Sequence, residues 1–215
     1  MKYKAILFDL DGTLLDTLDD LHNSVNHTLS AFGFPLRTKE ETRLAVGNGV
    51  GLLITRSVPN GQENPKFAEA LAAFREYYAQ NNRVLTRPYE GIPEVLAALR
   101  EKGIRVGVVS NKFDSAVKAL CADYFGDLVE VAVGERDGVR RKPHPDSLLA
   151  AMDFLSVRAN ECLYVGDSET DVESAKNAAI PCLSVLWGFR DKKTLLQAGA
   201  TDLIQKPQEI LSFLT

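Results

Sequence analysis

Cysteine is scarce in this 215-residue chain: three residues, Cys121, Cys162 and Cys182, with no Cys-x-x-Cys pair. An odd, scattered set of this kind reads as reduced, mostly core thiols of a cytoplasmic protein. A chain of this length buries a full core without disulfides or metals to hold it. No apolar run approaches the ~20 residues of a membrane span. The first apolar stretch is short and ends at Asp9, which does not suit a signal peptide. Basic charge is not in excess either: 25 Lys+Arg stand against 29 Asp+Glu, a net charge of −4. That balance argues against a nucleic-acid binder, which needs a basic surface. Internal repeats and low-complexity tracts are also missing. With 45% hydrophobic and 25% charged residues, the composition is that of a globular protein and not of a disordered one.

What is present is a series of short apolar runs rich in β-branched residues. They are Ala5–Phe8, Val106–Val109, Val129–Val133, Leu163–Val165, Leu183–Leu186 and Leu203–Ile204. Runs like these suit parallel strands buried on both faces. Helical stripes separate them: Ile92, Leu96 and Leu99, stopped by Gly103; Val117, Leu120 and Tyr124, with Asp114 as N-cap; and Leu148, Met152 and Leu155, opened by Pro145. From residue 92 onward helix and strand alternate, which predicts an α/β fold with an open, doubly wound, mostly parallel sheet. Residues 16–82 interrupt the alternation. Leu18, Leu21, Val25, Leu29 and Phe32 repeat at helical spacing, and so do Phe67, Leu71, Phe74 and Tyr78, with no strand-like run between. The reading is an α/β core of 1–15 and 83–215 with a helical cap, 16–82, inserted after the first strand.

In a parallel sheet, ligands bind beyond the C-terminal strand ends. The first strand leads into Asp9-Leu10-Asp11-Gly12-Thr13, two carboxylates that can be aimed at one small site; an acidic turn accounts for them equally well in isolation. A second strand leads into Ser110-Asn111-Lys112, whose small hydroxyl and amide donors suit an anionic oxygen or a plain turn. A third leads into Gly166-Asp167-Ser168-Glu169-Thr170-Asp171. Helix capping explains one of those acids, but not three beside a second acidic strand end. Clustered oxygen ligands suit Mg²⁺, whose coordination is usually completed by water and substrate phosphate. Aspartates around a phosphate need a counter-ion. In Arg140-Arg141-Lys142 before Pro143-His144-Pro145, Lys142 is the candidate, against the ordinary reading of a solvated basic patch.

Taken together, Asp9-Leu10-Asp11-Gly12-Thr13, Ser110, Lys142-Pro143 and Gly166-Asp167 with Asp171 resemble, in order, the four motifs of the haloacid dehalogenase superfamily. The resemblance spans essentially the whole chain, helical insertion included. Asp16-Thr17-Leu18-Asp19-Asp20-Leu21, Val46-Gly47-Asn48-Gly49, Ser110-Asn111-Lys112 and Leu186-Trp187-Gly188-Phe189 are most similar to its phosphoglycolate phosphatases. The resemblance implies a Mg²⁺-dependent hydrolase of a small phosphorylated metabolite. Asp9 would be the nucleophile that forms an aspartyl-phosphate, and Asp11 the general acid and then base. Asp9, the Asp11 carbonyl and Asp167 would hold the metal. Asp171 would act in support, through water or by orienting Lys142. Gly12, Ser110, Asn111 and Lys142 would bind the phosphoryl oxygens. An acid at position 11 favours phosphoryl transfer over carbon–halogen cleavage. In the cap, Gly47, Asn48 and Gly49 are candidates for substrate contact through backbone N–H groups, or form a plain helix-to-helix turn. Other readings are a phosphomutase or a pyrophosphatase of the same superfamily. A phospho-receiver switch is a fourth, disfavoured by the Asp9–Asp11 spacing and by the insertion.

Overall fold

The structure, a computed structural model, describes residues 2–214. The chain divides into two compact units, Met1–Leu15 with Pro88–Thr215, and Asp16–Arg87. The first unit is built on a six-stranded parallel sheet: β1 (Ala5–Phe8), β2 (Arg105–Phe113), β3 (Val131–Glu135), β4 (Cys162–Gly166), β5 (Cys182–Val185) and β6 (Asp202–Ile204). Its spatial order is β3-β2-β1-β4-β5-β6, a doubly wound arrangement whose order reverses beside β1. Ile6 sits opposite Val106 on one side and Leu163 on the other. All four β1 residues are buried, as strands covered on both faces must be.

The unit 16–87 carries α1 (Leu18–Ala31), α2 (Lys39–Ala45), α3 (Gly49–Ser57) and α4 (Phe67–Asn81). Leu21, Val25 and Leu29 form the buried stripe of α1, and Ala70, Phe74 and Tyr78 that of α4. Thr38 and Glu41 close a reciprocal capping box at the start of α2, satisfying two otherwise orphan N–H groups. The unit extends to Arg87 rather than ending at residue 82. The buried Asp20 carboxylate accepts the Leu85 and Thr86 N–H groups at 3.0 and 2.9 Å, and the Thr86 hydroxyl at 2.8 Å. Three donors on one carboxylate fasten this stretch to α1.

In the sheet unit follow α5 (Ile92–Glu101), α6 (Asp114–Phe125), α7 (Asp146–Phe154), α8 (Glu169–Asn177) and α9 (Lys192–Gln197). Alternate strand residues feed two apolar layers. Ile6, Phe8, Val106 and Val108 pack with α5 and α6, while Ala5, Leu7, Val109 and Tyr164 pack with α7 and α8. Gly103, at φ +71° just past α5, supplies the left-handed residue that ends the helix.

Two local expectations are corrected. Asp114 is the first residue of α6, not its cap, because β2 runs on to Phe113. Its carboxylate instead accepts the Gly134 N–H at 3.0 Å and pairs with Lys118 at 2.6 Å. The third strand begins at Val131, two residues late, because the short 3-10 turn Gly126–Leu128 is followed by Val129 as its cap. Pro145, by contrast, opens α7 as expected: it is the cap residue directly ahead of the first turn. Among the described residues, no helix is long and apolar enough to cross a membrane.

Candidate active site

The C-terminal ends of β1, β2 and β4 bring together most of the residues singled out in the sequence. Asp9 leaves β1 with its N–H on the Val165 carbonyl at 2.9 Å, so the neighbouring strand fixes where its side chain begins. Lys142 arrives from the β3–α7 connection and is buried. Its Nζ donates to Asp9 Oδ1 at 2.9 Å, to Asp171 Oδ1 at 2.7 Å and to the Tyr164 hydroxyl at 2.9 Å. An ammonium has three protons, and each has an acceptor here. The Tyr164 hydroxyl in turn donates to Asp171 Oδ1 at 2.8 Å.

Asp171 does two jobs with two oxygens. Oδ1 faces Lys142 and Tyr164, while Oδ2 accepts the Ser168 N–H at 3.0 Å and its hydroxyl at 2.5 Å, forming the capping box of α8. Capping and ion pairing, alternatives at the level of sequence, are here the same side chain. Asp171 thus reaches Lys142 directly. Asp167 is held by the Phe189 N–H on Oδ2 at 2.7 Å and the Thr13 hydroxyl on Oδ1 at 3.2 Å. Gly12, at φ +86°, passes so close that a Cβ would lie 2.4 Å from Asp167 Oδ2. Only glycine permits that approach.

Asn111 and Lys142 clasp one another along the backbone. The Asn111 amide donates to the Lys142 carbonyl at 3.0 Å and accepts the Lys142 N–H at 2.8 Å. Asn177, on α8, donates to the Pro143 carbonyl at 2.8 Å. Lys142 therefore lies four residues ahead of α7, in a stretch positioned by two side-chain amides. Its neighbours in the basic run turn outward, Arg140 to Asp146 and Arg141 to Glu135. Ser110 is buried, with its Oγ accepting the Lys112 N–H at 3.2 Å. Trp187 donates its indole N–H to the Thr13 carbonyl at 3.0 Å and packs against the core.

Burial pushes the Asp9 carboxyl well above its ordinary range, with Lys142 opposing and Asp171 and Asp167 reinforcing. Burial, then the Asp171 charge, pushes Asp167 up to about 7. Burial acts on Asp171 too, but the Lys142 charge and the bonds from Lys142, Ser168 and Tyr164 outweigh it and hold its carboxyl below the usual value. For Lys142, burial disfavours the ammonium, and Asp171 and Asp9 overcome it, leaving its pKa raised.

Asp9, Asp167 and Asp171 offer carboxylate oxygens within 4.8 Å of one another. Three buried carboxylates face one ammonium. That surplus of negative charge and the all-oxygen donor set fit a small divalent cation such as Mg²⁺. Each Asp171 oxygen already accepts two donors, Lys142 and Tyr164 on Oδ1 and the Ser168 N–H and hydroxyl on Oδ2, whereas each Asp167 oxygen accepts one and Asp9 accepts Lys142 on Oδ1. The side chains with coordination to spare are Asp9 and Asp167.

Sequence reasoning gave no role to Lys112 or Tyr164. Lys112 Nζ lies 2.8 Å from Asp11 Oδ1; period-two alternation from Ser110 is the signal that could have found it. A tyrosine inside an apolar strand needs a partner for its hydroxyl, and that need was the signal for Tyr164. Gly47, Asn48 and Gly49 lie at the junction of α2 and α3, with Gly47 and Gly49 at φ +131° and +81°.

Residues 6–185 match the family model described as haloacid dehalogenase-like hydrolase. The chain belongs to that family. This hydrolase is 30% identical to phosphoglycolate phosphatase 1 of Pseudomonas aeruginosa over 214 residues, 97% of this chain and 78% of that protein. It is equally, 30%, identical to the N-acetylmuramic acid 6-phosphate phosphatase of the same organism, over 100% of this chain and 96% of that one. The crystal structure of a candidate phosphoglycolate phosphatase from Lactobacillus delbrueckii subsp. bulgaricus superposes with a TM-score of 0.95 at 33% identity, covering 100% of this chain and 99% of that one. CbbY from Rhodobacter sphaeroides, solved in complex with phosphate, superposes with a TM-score of 0.75 at 26% identity, over 97% and 96% of the two chains.

Proposed function

We propose that this enzyme is a Mg²⁺-dependent phosphatase that hydrolyses a small phosphorylated metabolite through an aspartyl-phosphate on Asp9, with 2-phosphoglycolate as the substrate. The observation that carries the reading is the convergence of Asp9, Asp167, Asp171 and Lys142 at the ends of β1 and β4, where a doubly wound sheet binds its ligand. Relatives named as phosphatases and a neighbour solved with phosphate support the chemistry. Names at 30–34% identity support the substrate.

In this reading a carboxylate oxygen of Asp9 forms a bond to phosphorus as the bond to the leaving oxygen breaks. Asp11 gives its proton to that oxygen. Asp11 then takes a proton from water, whose oxygen attacks the same phosphorus; phosphate leaves and the Asp9 carboxylate is restored. Lys142 holds Asp9 in place and, with Ser110, the Asn111 N–H and Gly12, neutralises charge on the transferring oxygens. Asp9, Asp167 and the Asp11 carbonyl would hold Mg²⁺, which when bound offsets carboxylate and phosphoryl charge. The unit 16–87 acts as the cap, with Gly47, Asn48 and Gly49 as its candidates for contact with the leaving portion of the substrate.

The test is turnover of a panel of phosphorylated metabolites with Mg²⁺ and with EDTA. The panel includes 2-phosphoglycolate, N-acetylmuramic acid 6-phosphate, pyrophosphate and β-glucose 1-phosphate. The reading expects hydrolysis with chelator-sensitive release of phosphate and the highest kcat/KM on 2-phosphoglycolate. Isomerisation of the sugar phosphate without phosphate release would make the enzyme a mutase instead.

A further inference from the structure

Asp11 and Lys112 are 101 positions apart in the chain, yet Lys112 Nζ meets Asp11 Oδ1 at 2.8 Å, with only 5% and 16% of the two side chains exposed. A buried ion pair is a weak source of stability, because removing two charges from water costs about as much as their attraction returns. Its value must be sought in what the pair holds still. The backbone carrying Lys112 is itself fixed. The Ser110 Oγ accepts its N–H at 3.2 Å. The register of β2 against β3 shifts between Val109 and Phe113, an irregularity of the kind that re-aims side chains. Gly134 admits the close passage: a Cβ there would lie 2.6 Å from the Lys112 carbonyl oxygen.

We infer that Lys112 is a positioning residue for Asp11. Its ammonium holds Oδ1 and so presents Oδ2 as the oxygen that exchanges a proton, first with the leaving group and then with water. The inference rests on the reading of Asp11 as general acid and base. Lys112 keeps all its protons throughout; the proton that moves travels between Asp11 and the leaving oxygen, then between water and Asp11. Freezing the carboxylate in one orientation removes a rotation that the reaction would otherwise have to restrict.

Steady-state kinetics with Mg²⁺ on Lys112→Met, Lys112→Gln, Lys112→Arg and Asp11→Asn test this. The substrates are 2-phosphoglycolate, glycerol 1-phosphate and 4-nitrophenyl phosphate, with rapid-quench measurement of phosphoenzyme formation from the last. Lys112→Met should lower kcat on both alkyl phosphates by ~10- to 100-fold, a part of the ~10²–10⁴-fold that acid–base help supplies. KM should change little. Phosphoenzyme formation from the aryl phosphate, whose leaving group needs no proton, should slow less. Lys112→Arg should recover most of the loss. If Lys112→Met does not fold, Lys112→Gln carries the same test with the same dependence on leaving group. Wild-type kcat on both alkyl phosphates, beside an impaired Asp11→Asn, overturns the inference alone. A rise in KM confined to 2-phosphoglycolate also overturns it and makes Lys112 a contact for the substrate carboxylate. Wild-type turnover by Asp11→Asn overturns the acid–base reading itself.

Discussion

Asp171 Oδ1 lies 2.7 Å from Lys142 Nζ, 29 residues away in sequence, and the two side chains are 0% and 3% exposed. The pair decides how the site tolerates loss of charge. Removing Lys142 leaves three buried carboxylates facing one another, whereas removing the Asp171 charge leaves Lys142 with Asp9 and Tyr164. Lys142→Met is therefore expected to cost ~3–5 kcal/mol of stability, and Asp171→Asn about half of that. The double variant should be more stable than the sum of the two predicts, by ~0.5–3 kcal/mol. Urea unfolding of the metal-free protein measures all three, and equal, additive costs would contradict this account.

The metal-free protein should also lose stability as pH rises. The Asp167 carboxyl, pushed up to about 7 by burial and then by Asp171, keeps a proton in the folded chain that the unfolded chain releases near pH ~3.9. Its contribution is fully present below that value and is lost as pH climbs through about 7. Melting temperature in EDTA should fall across this window, and Asp167→Asn should flatten the slope. Mg²⁺ should raise the melting temperature more at pH 8 than at pH 5.5, since it displaces the proton. A Mg²⁺ shift independent of pH would contradict the assignment of Asp167.

Burial pushes the Cys121 and Cys162 thiols up to about 12. In the folded protein both should resist a thiol-selective disulfide reagent at pH 8, and both should react once urea unfolds the chain. Rapid labelling of either in the native state would show that its core position is wrong.

Much of this architecture is legible before folding, because its chemistry is concentrated at strand ends. An apolar run that stops on Asp9, or on Gly166-Asp167, announces both a buried strand and what lies beyond it. Lys142 was legible for a different reason: aspartates around an anion require a cation. What the sequence conceals is reach. Tyr164 sits in an apolar run and reads as core, which it is; only folding sets its hydroxyl on an acid seven residues on. Asp114 looks like a helix cap because the apolar part of β2 ends at Val109, while pairing with β3 carries the strand to Phe113. The stretch 83–87 has no apolar pattern of its own and is assigned by three bonds to Asp20.

Asp9→Asn is nearly isosteric and keeps the backbone bond to Val165. The folded variant should lose at least ~10⁴-fold in kcat, the scale of removing a nucleophile. Circular dichroism and phosphate release on one preparation check this; substantial turnover in a folded Asp9→Asn protein would remove the nucleophile from the account.

The central claim is covalent phosphate on Asp9, and Asp11→Asn is the variant in which to see it. With an aryl phosphate, attack on phosphorus proceeds without a donated proton, but the attacking water must still lose one. The intermediate should then form faster than it decays. Asp11→Asn mixed with 4-nitrophenyl phosphate and Mg²⁺, stopped in acid within milliseconds and digested, should yield a phosphorylated peptide containing Asp9 in near-stoichiometric amount. Quenched protein carrying no phosphate, together with unimpaired steady-state turnover, would contradict the account.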